Sequence, residues 1–173
     1  EADQHRALLP RSGESTLYVG CGTSAFVAHA VSLLCQHAGF ASTDWAYASE
    51  LPDRTYDRVI ALTRSGTTTE VLDALRGPLA GAHRVVVTGA PEEVPGDVAD
   101  EIVDLTFADE QSVVQTRFPT TVLAMVRHLL GEDLDQLQVE LGLVLTGASG
   151  PDPASFPPDT FDHFVFLGRD WAL

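Results

Sequence analysis

The sequence predicts a doubly wound α/β domain, a five-stranded parallel sheet with helices on both faces. Three observations lead there. Short β-prone runs alternate with longer apolar segments of helical spacing, the pattern of a βαβ chain. Several of the short runs are apolar at every position, which marks strands buried on both faces of a parallel sheet. Loops rich in Gly, Ser and Thr stand where strands hand over to helices. A chain of 173 residues, 45% hydrophobic and 8% aromatic, can bury one full core built from Ala, Val and Leu.

The elements follow in order. Thr16-Leu17-Tyr18-Val19 reads as strand 1, ended by Gly20. Ser24 to Ala38 is apolar throughout and suits a buried helix, with Ser24 near its start and Gly39 ending it. Strand 2 is placed around Thr43–Ala48, and strand 3 at Arg58-Val59-Ile60-Ala61-Leu62-Thr63. Val71, Leu72, Leu75 and Leu79 share a face of a helix from Thr69 to Leu79. Arg84-Val85-Val86-Val87-Thr88 is strand 4, broken by Gly89 and Pro91, and Glu101-Ile102-Val103-Asp104-Leu105 is strand 5. A helix over 120–130 and an apolar segment over 134–145 complete residues 1–145. Residues 146–160 hold Gly147, Gly150, Pro151, Pro153, Pro157 and Pro158, and read as a linker. Phe164-Val165-Phe166-Leu167-Gly168 then looks like a strand reaching a turn, so 161–173 reads as the opening of a second unit.

Composition excludes several functions. The net charge is −15, and an acidic surface repels nucleic-acid phosphates. All ten basic residues are Arg, so Schiff-base or P-loop chemistry would need a lysine from elsewhere. No apolar run is long enough for a membrane span. The chain opens on Glu1 without a basic, apolar leader, which reads as a trimmed, cytoplasmic protein. Cys21 and Cys35 are too far apart for a zinc pair, and the six histidines are scattered, so no metal and no cofactor are expected. His29 and His37 share a helix but stand eight apart, wide for a metal pair.

Two loops carry the chemistry. In a flavodoxin-like strand order, 2-1-3-4-5, ligands bind beyond the C-terminal ends of strands 1 and 3, where the order reverses. The two loops richest in Gly and hydroxyls, Gly20-Cys21-Gly22-Thr23-Ser24 and Thr63-Arg64-Ser65-Gly66-Thr67-Thr68, follow those strands. Glycines let a ligand approach the backbone, and each loop leads into a helix whose free N–H groups attract an anion. Hydroxyls and helix N-termini together can hold a phosphate without Lys, with Arg64 able to add a charge. The same residues are also what two tight, capped turns would use. A competing motif is Gly20-x-Gly22-x-x-Ala25, a loose dinucleotide fingerprint, with Asp44 about 20 residues on and near the end of strand 2. It leaves the loop after strand 3 unexplained.

Four pieces in this order and spacing resemble the sugar isomerase (SIS) domain family: Gly20-Cys21-Gly22-Thr23-Ser24, Ala48-Ser49-Glu50-Leu51, Ala61-Leu62-Thr63-Arg64-Ser65-Gly66-Thr67-Thr68 and Ser112-Val113-Val114-Gln115-Thr116-Arg117. Within the family they resemble the isomerase half of glucosamine-6-phosphate synthase and tagatose-6-phosphate ketose/aldose isomerase-like proteins, which carry two such domains in tandem. The resemblance covers about residues 14–145 and implies that 161–173 begins a second SIS domain. It implies that Thr63, Ser65 and Thr68 cradle the sugar phosphate, with Arg64 in the place of a family Gln. Gly20 and Gly66 shape the loops. Gly22, Thr23 and Ser24 would contact the sugar, and Val113 and Gln115 would touch its hydroxyls. Gln115 stands for a common Ser, which leaves open a substrate other than fructose 6-phosphate, and Thr67 stands for a common Glu, another departure.

The family's proton-moving Glu lies in the second domain, so no catalytic residue is assigned within this chain. Glu50 could be a base near the sugar, cap a helix or pair with an Arg, and a structural or interface role is the favoured reading. Cys21 reads as a small packed thiol. The implied activity is phosphosugar aldose–ketose isomerisation or amino-sugar-phosphate deamination. A non-catalytic phosphosugar sensor is the alternative, and a dinucleotide-binding domain is a more distant one. The implied partners are a phosphorylated sugar or amino sugar, and a second SIS domain or a second copy in a homodimer.

Overall fold

A computed structural model describes residues 4–112 and 114–147. Five parallel strands form one sheet in the order β2-β1-β3-β4-β5, the expected doubly wound arrangement. The strands are β1 Thr16–Gly20, β2 Thr43–Tyr47, β3 Arg58–Leu62, β4 His83–Thr88 and β5 Glu101–Asp104. The helices are α1 Thr23–His37, α2 Thr69–Arg76, α3 Arg117–Leu129 and α4 Asp135–Leu145.

The continuous apolar runs have the anticipated cause. Along β1, Tyr18 joins one core with α1 and α3, while Leu17 and Val19 join another with α2. Ile60 and Leu62 of β3 side with Tyr18, and Val59 and Ala61 with Leu17. Successive residues point to opposite faces of a strand, so a sheet covered on both sides needs an apolar residue at every position. Tyr18 also reaches past its core: its hydroxyl donates to the carbonyl of Leu8 at 2.6 Å, tying an N-terminal 3-10 turn to the sheet. The same hydroxyl lies 3.5 Å from Cys35 Sγ in a buried contact, and burial pushes the Cys35 thiol up to about 11.

Helix boundaries differ from expectation in two informative places. The second helix stops at Arg76 rather than Leu79, because Pro78 disfavours a helical Gly77. Leu79 nevertheless stays in the core beneath α2. The third helix starts at Arg117, three residues early, with Pro119 inside its first turn, where a missing N–H costs nothing. The apolar segment over 134–145 is α4, yet Leu137, Val139, Leu141, Leu143 and Val144 are exposed on it. Linker 146–160, apart from Thr146 and Gly147, and the strand expected in 161–173 lie outside the described residues. No helix among the described residues is long and apolar enough to cross a membrane.

Candidate functional site

The sheet brings the two motif loops together. β1 and β3 are neighbours, with Gly20 opposite Leu62, so both loops leave the sheet side by side at its C-terminal edge. β2 flanks β1 on the other side, which makes this the point where the strand order reverses.

Gly20 is where α1 is seated against the sheet. A Cβ built there would stand 2.6 Å from the carbonyl carbon of Ser24 and 2.9 Å from the nitrogen of Ala25. Only a residue without a side chain lets the first turn of α1 pack so close. Gly22 (φ 53°) caps α1 without any side-chain hydrogen bond. Thr23 is exposed on the first turn and Ser24 is buried. Cys21 is half-buried, and burial, reinforced by Glu70, raises its thiol above the ordinary range. That is the reverse of what a reactive thiolate needs.

The second loop is held from inside. Thr63 is buried, and its hydroxyl lies 3.0 Å from that of Thr68. Ser65 Oγ accepts from the Thr67 hydroxyl at 3.1 Å and from its backbone N–H at 3.3 Å. Gly66 has φ 70°, and a Cβ there would come within 3.0 Å of the Ala90 carbonyl oxygen. Thr68 precedes α2 but its hydroxyl is turned to Thr63, so it does not cap the helix. The N-termini of α1 and α2 therefore both reach the switch point without a side-chain cap, presenting the positive ends of two helix dipoles, although in α1 the N–H groups of Ser24 and Ala25 already donate to the carbonyls of Cys21 and Gly22.

Arg64 is placed differently from Thr63, Ser65 and Thr68. Its Nη1 donates to Asp109 Oδ1 at 3.0 Å and to the carbonyl of Glu110, while its Nε has no hydrogen-bond partner among the described residues. Its carbonyl accepts from Thr88 Oγ1 at 3.0 Å and from the Gly89 N–H at 2.9 Å. Arg64 thus fastens the loop to the end of β4 and to the segment leading to Gln115.

Asp109, Glu110 and Thr88 carry no mark in the sequence that sets them apart, although they hold this corner. Glu110 explains the early start of α3: its carboxylate accepts the N–H groups of Thr116 at 2.9 Å and Phe118 at 3.0 Å. Desolvation of Glu110 would raise its pKa, but the N–H groups of Thr116, Phe118 and Arg117 outweigh it and hold the carboxyl below the ordinary value. A depressed carboxyl stabilises the fold above the unfolded pKa and loses that contribution as pH falls through its lowered value. Glu110→Gln is therefore expected to melt earlier than wild type at neutral pH, with the gap closing once pH falls below the ordinary carboxylate range. Thermal melts at the two pH values check this, and an equal gap at both would exclude the charge as its source.

The other expected site residues fall as follows. Gln115 is half-buried, its Oε1 is sealed from solvent without a partner among the described residues, and no hydrogen bond joins it to either loop. Val113 lies outside the described residues. Glu50 is exposed, and its side chain shows neither a helix cap nor an Arg partner among the described residues. Asp44 is the second residue of β2, not near its end, and it binds Arg54 at 2.8 Å and the Tyr56 hydroxyl at 2.9 Å. A ribose-binding acid belongs at the C-terminal end of that strand, so the dinucleotide reading loses its acidic residue. His29 is stacked on Trp45 at 4.3 Å, and no cluster of metal-ligating side chains occurs among the described residues.

The fold is shared with solved structures of phosphosugar proteins. A candidate phosphosugar isomerase involved in capsule formation, from Bacteroides fragilis, superposes with a TM-score of 0.59 at 15% identity, over 79% of this chain and 77% of that one. Glucosamine-6-phosphate deaminase from Thermotoga maritima superposes with a TM-score of 0.58 at 22% identity, over 74% of this chain and 43% of that one. The C-terminal domain of glucosamine-fructose-6-phosphate aminotransferase from Francisella tularensis gives 0.58 at 17% identity, over 75% and 37%. The chain thus spans less than half the length of the last two. No family model and no curated protein matches the sequence.

Proposed function

We propose that this chain is a phosphosugar-binding domain of the SIS type, whose ligand sits at the switch point between β1 and β3. The observation that carries this reading is the pair of uncapped helix N-termini flanked by the hydroxyls of Thr23, Thr63, Ser65 and Thr68.

In this reading Thr63, Ser65, Thr68 and the first N–H groups of α2 hold the phosphate as neutral donors. Gly20 and Gly66 keep the loops close, and Arg64 positions the second loop through Asp109 and Glu110. Gly22, Thr23 and Ser24 are assigned to the sugar, and Val113 and Gln115 to its hydroxyls. Such a domain orients C1 and C2 of the sugar and leaves proton transfer to residues outside 1–145. The complete protein would be an aldose–ketose isomerase or an amino-sugar-phosphate deaminase, with 146–160 as a linker, 161–173 opening a second SIS domain, and a homodimer or that second domain covering the site. A cytoplasmic location fits such a substrate. No cofactor is needed for this chemistry.

Thermal shift tests it. Fructose 6-phosphate or glucosamine 6-phosphate is expected to raise Tm by more than inorganic phosphate does, and NAD not at all. Stabilisation by NAD alone would sink the proposal. A protein that binds these sugars but, as a complete natural chain, never exchanges the C1 or C2 proton with solvent would be a sensor instead.

A further inference from the structure

A sizeable cavity lies away from the switch point. It measures about 530 Å³ and opens at the opposite end of the sheet, where the strands begin. Arg58 and Glu101, the first residues of β3 and β5, line it together with Arg6, Arg11, Ser12 and Phe40.

Arg58 is the unusual member. It opens the central strand of the sheet and is 1% exposed, among the largest fully buried side chains. A buried guanidinium is costly unless opposite charge and hydrogen bonds surround it. Here the surroundings fall short. Nε reaches Glu14 Oε2 at 3.4 Å, and Nη1 stands 3.9 Å from Glu101 Oε2, beyond hydrogen-bond distance. Nη1 has no hydrogen-bond partner among the described residues. Both carboxylates are shared, Glu14 with Arg11 at 4.0 Å and Glu101 with His83 at 3.5 Å.

Charge is concentrated here against the trend of the molecule. The chain carries −15, yet three of its ten arginines line this one cavity, against the carboxylates of Glu101 in the lining and of Glu14 beside Arg11 and Arg58. Arginine forks match the oxygens of phosphate and are weakly hydrated, which suits them to a partly closed site.

We infer that this cavity is a second anion site, taking a small phosphorylated molecule whose phosphate lies among Arg6, Arg11 and Arg58. The volume leaves room for more than the phosphate itself. The site lies about 16 Å from the switch point, the length of a five-residue strand. It is therefore separate from the proposed sugar site and does not depend on that reading.

Amide NMR of the full chain, titrated with sodium phosphate and with sodium chloride at matched ionic strength, tests it. Phosphate is expected to shift the amides of Ser12, Phe40 and Glu101 saturably, and chloride is not. Arg11→Ala and Arg6→Ala, both exposed and safe for the fold, are each expected to weaken that response about tenfold. Arg58→Met is expected to abolish it. In the Ser65→Ala/Thr68→Ala background the response should persist, which separates it from failure or success at the loops. Shifts confined to the loop residues, equal shifts with chloride, or unchanged affinity in both exposed variants would each overturn the site.

Discussion

Gly20→Ala is expected to lower Tm by roughly 6–12 °C. The added Cβ would stand 2.6 Å and 2.7 Å from the carbonyl carbon and oxygen of Ser24 and 2.9 Å from the nitrogen of Ala25. All three are backbone atoms of α1, so no side chain can swing aside. Either α1 lifts from the sheet or the end of β1 leaves its register with Tyr47 and Leu62. Overpacking of this kind costs about 1–3 kcal/mol, and backbone against backbone belongs at the upper end. For a domain of this size each kcal/mol is worth about 2–4 °C. Gly81→Ala is the control, since nothing lies within 4 Å of its Cβ and its φ is not positive. Melting curves of the two variants decide the matter: if Gly20→Ala melts no earlier than Gly81→Ala, close packing at Gly20 is not what the position requires.

Ser65→Ala/Thr68→Ala is expected to weaken binding of a phosphorylated sugar by about 100-fold or more, while barely changing the affinity for the free sugar. A hydrogen bond to a charged group is worth about 1.5–3 kcal/mol, or roughly 10–100-fold in affinity. The double change removes two such donors. It also releases the Thr63 hydroxyl from its 3.0 Å contact with Thr68, so the remaining donor is no longer held in place. Ser65 and Thr68 are both half-buried, so the fold should survive their truncation. Calorimetric titration with a sugar phosphate and its unphosphorylated parent separates the outcomes. Equal losses for the two ligands would refute the phosphate role of the loop.

Much of this arrangement is legible in residue order. The five strands stand out because residues such as Leu17, Tyr18 and Val19 are apolar without interruption, and a sheet covered on both faces has that need. The loops stand out because Gly and hydroxyl residues cluster directly after strands 1 and 3. Asp44 misleads because strand ends are set by pairing, and β2 extends three residues beyond it, to Tyr47. Glu110 escapes notice because its role is to accept N–H groups six and eight residues further on, a reach no short motif encodes. The exposed apolar face of α4 cannot be foreseen either, since periodicity shows that a segment is apolar and not whether anything covers it.

Residue order alone carries the fold class, the strand order and the two Gly- and hydroxyl-rich loops that leave the sheet side by side. These are local properties, written in periodicity and in the spacing of Gly, Ser and Thr. The tertiary structure alone decided what each charged group is free to do. It turned Arg64 toward Asp109 and Glu110, and it buried Arg58 beneath a cavity at the far end of β3. Charge pairing depends on distances between residues remote in the chain, and those distances exist only once the sheet has closed.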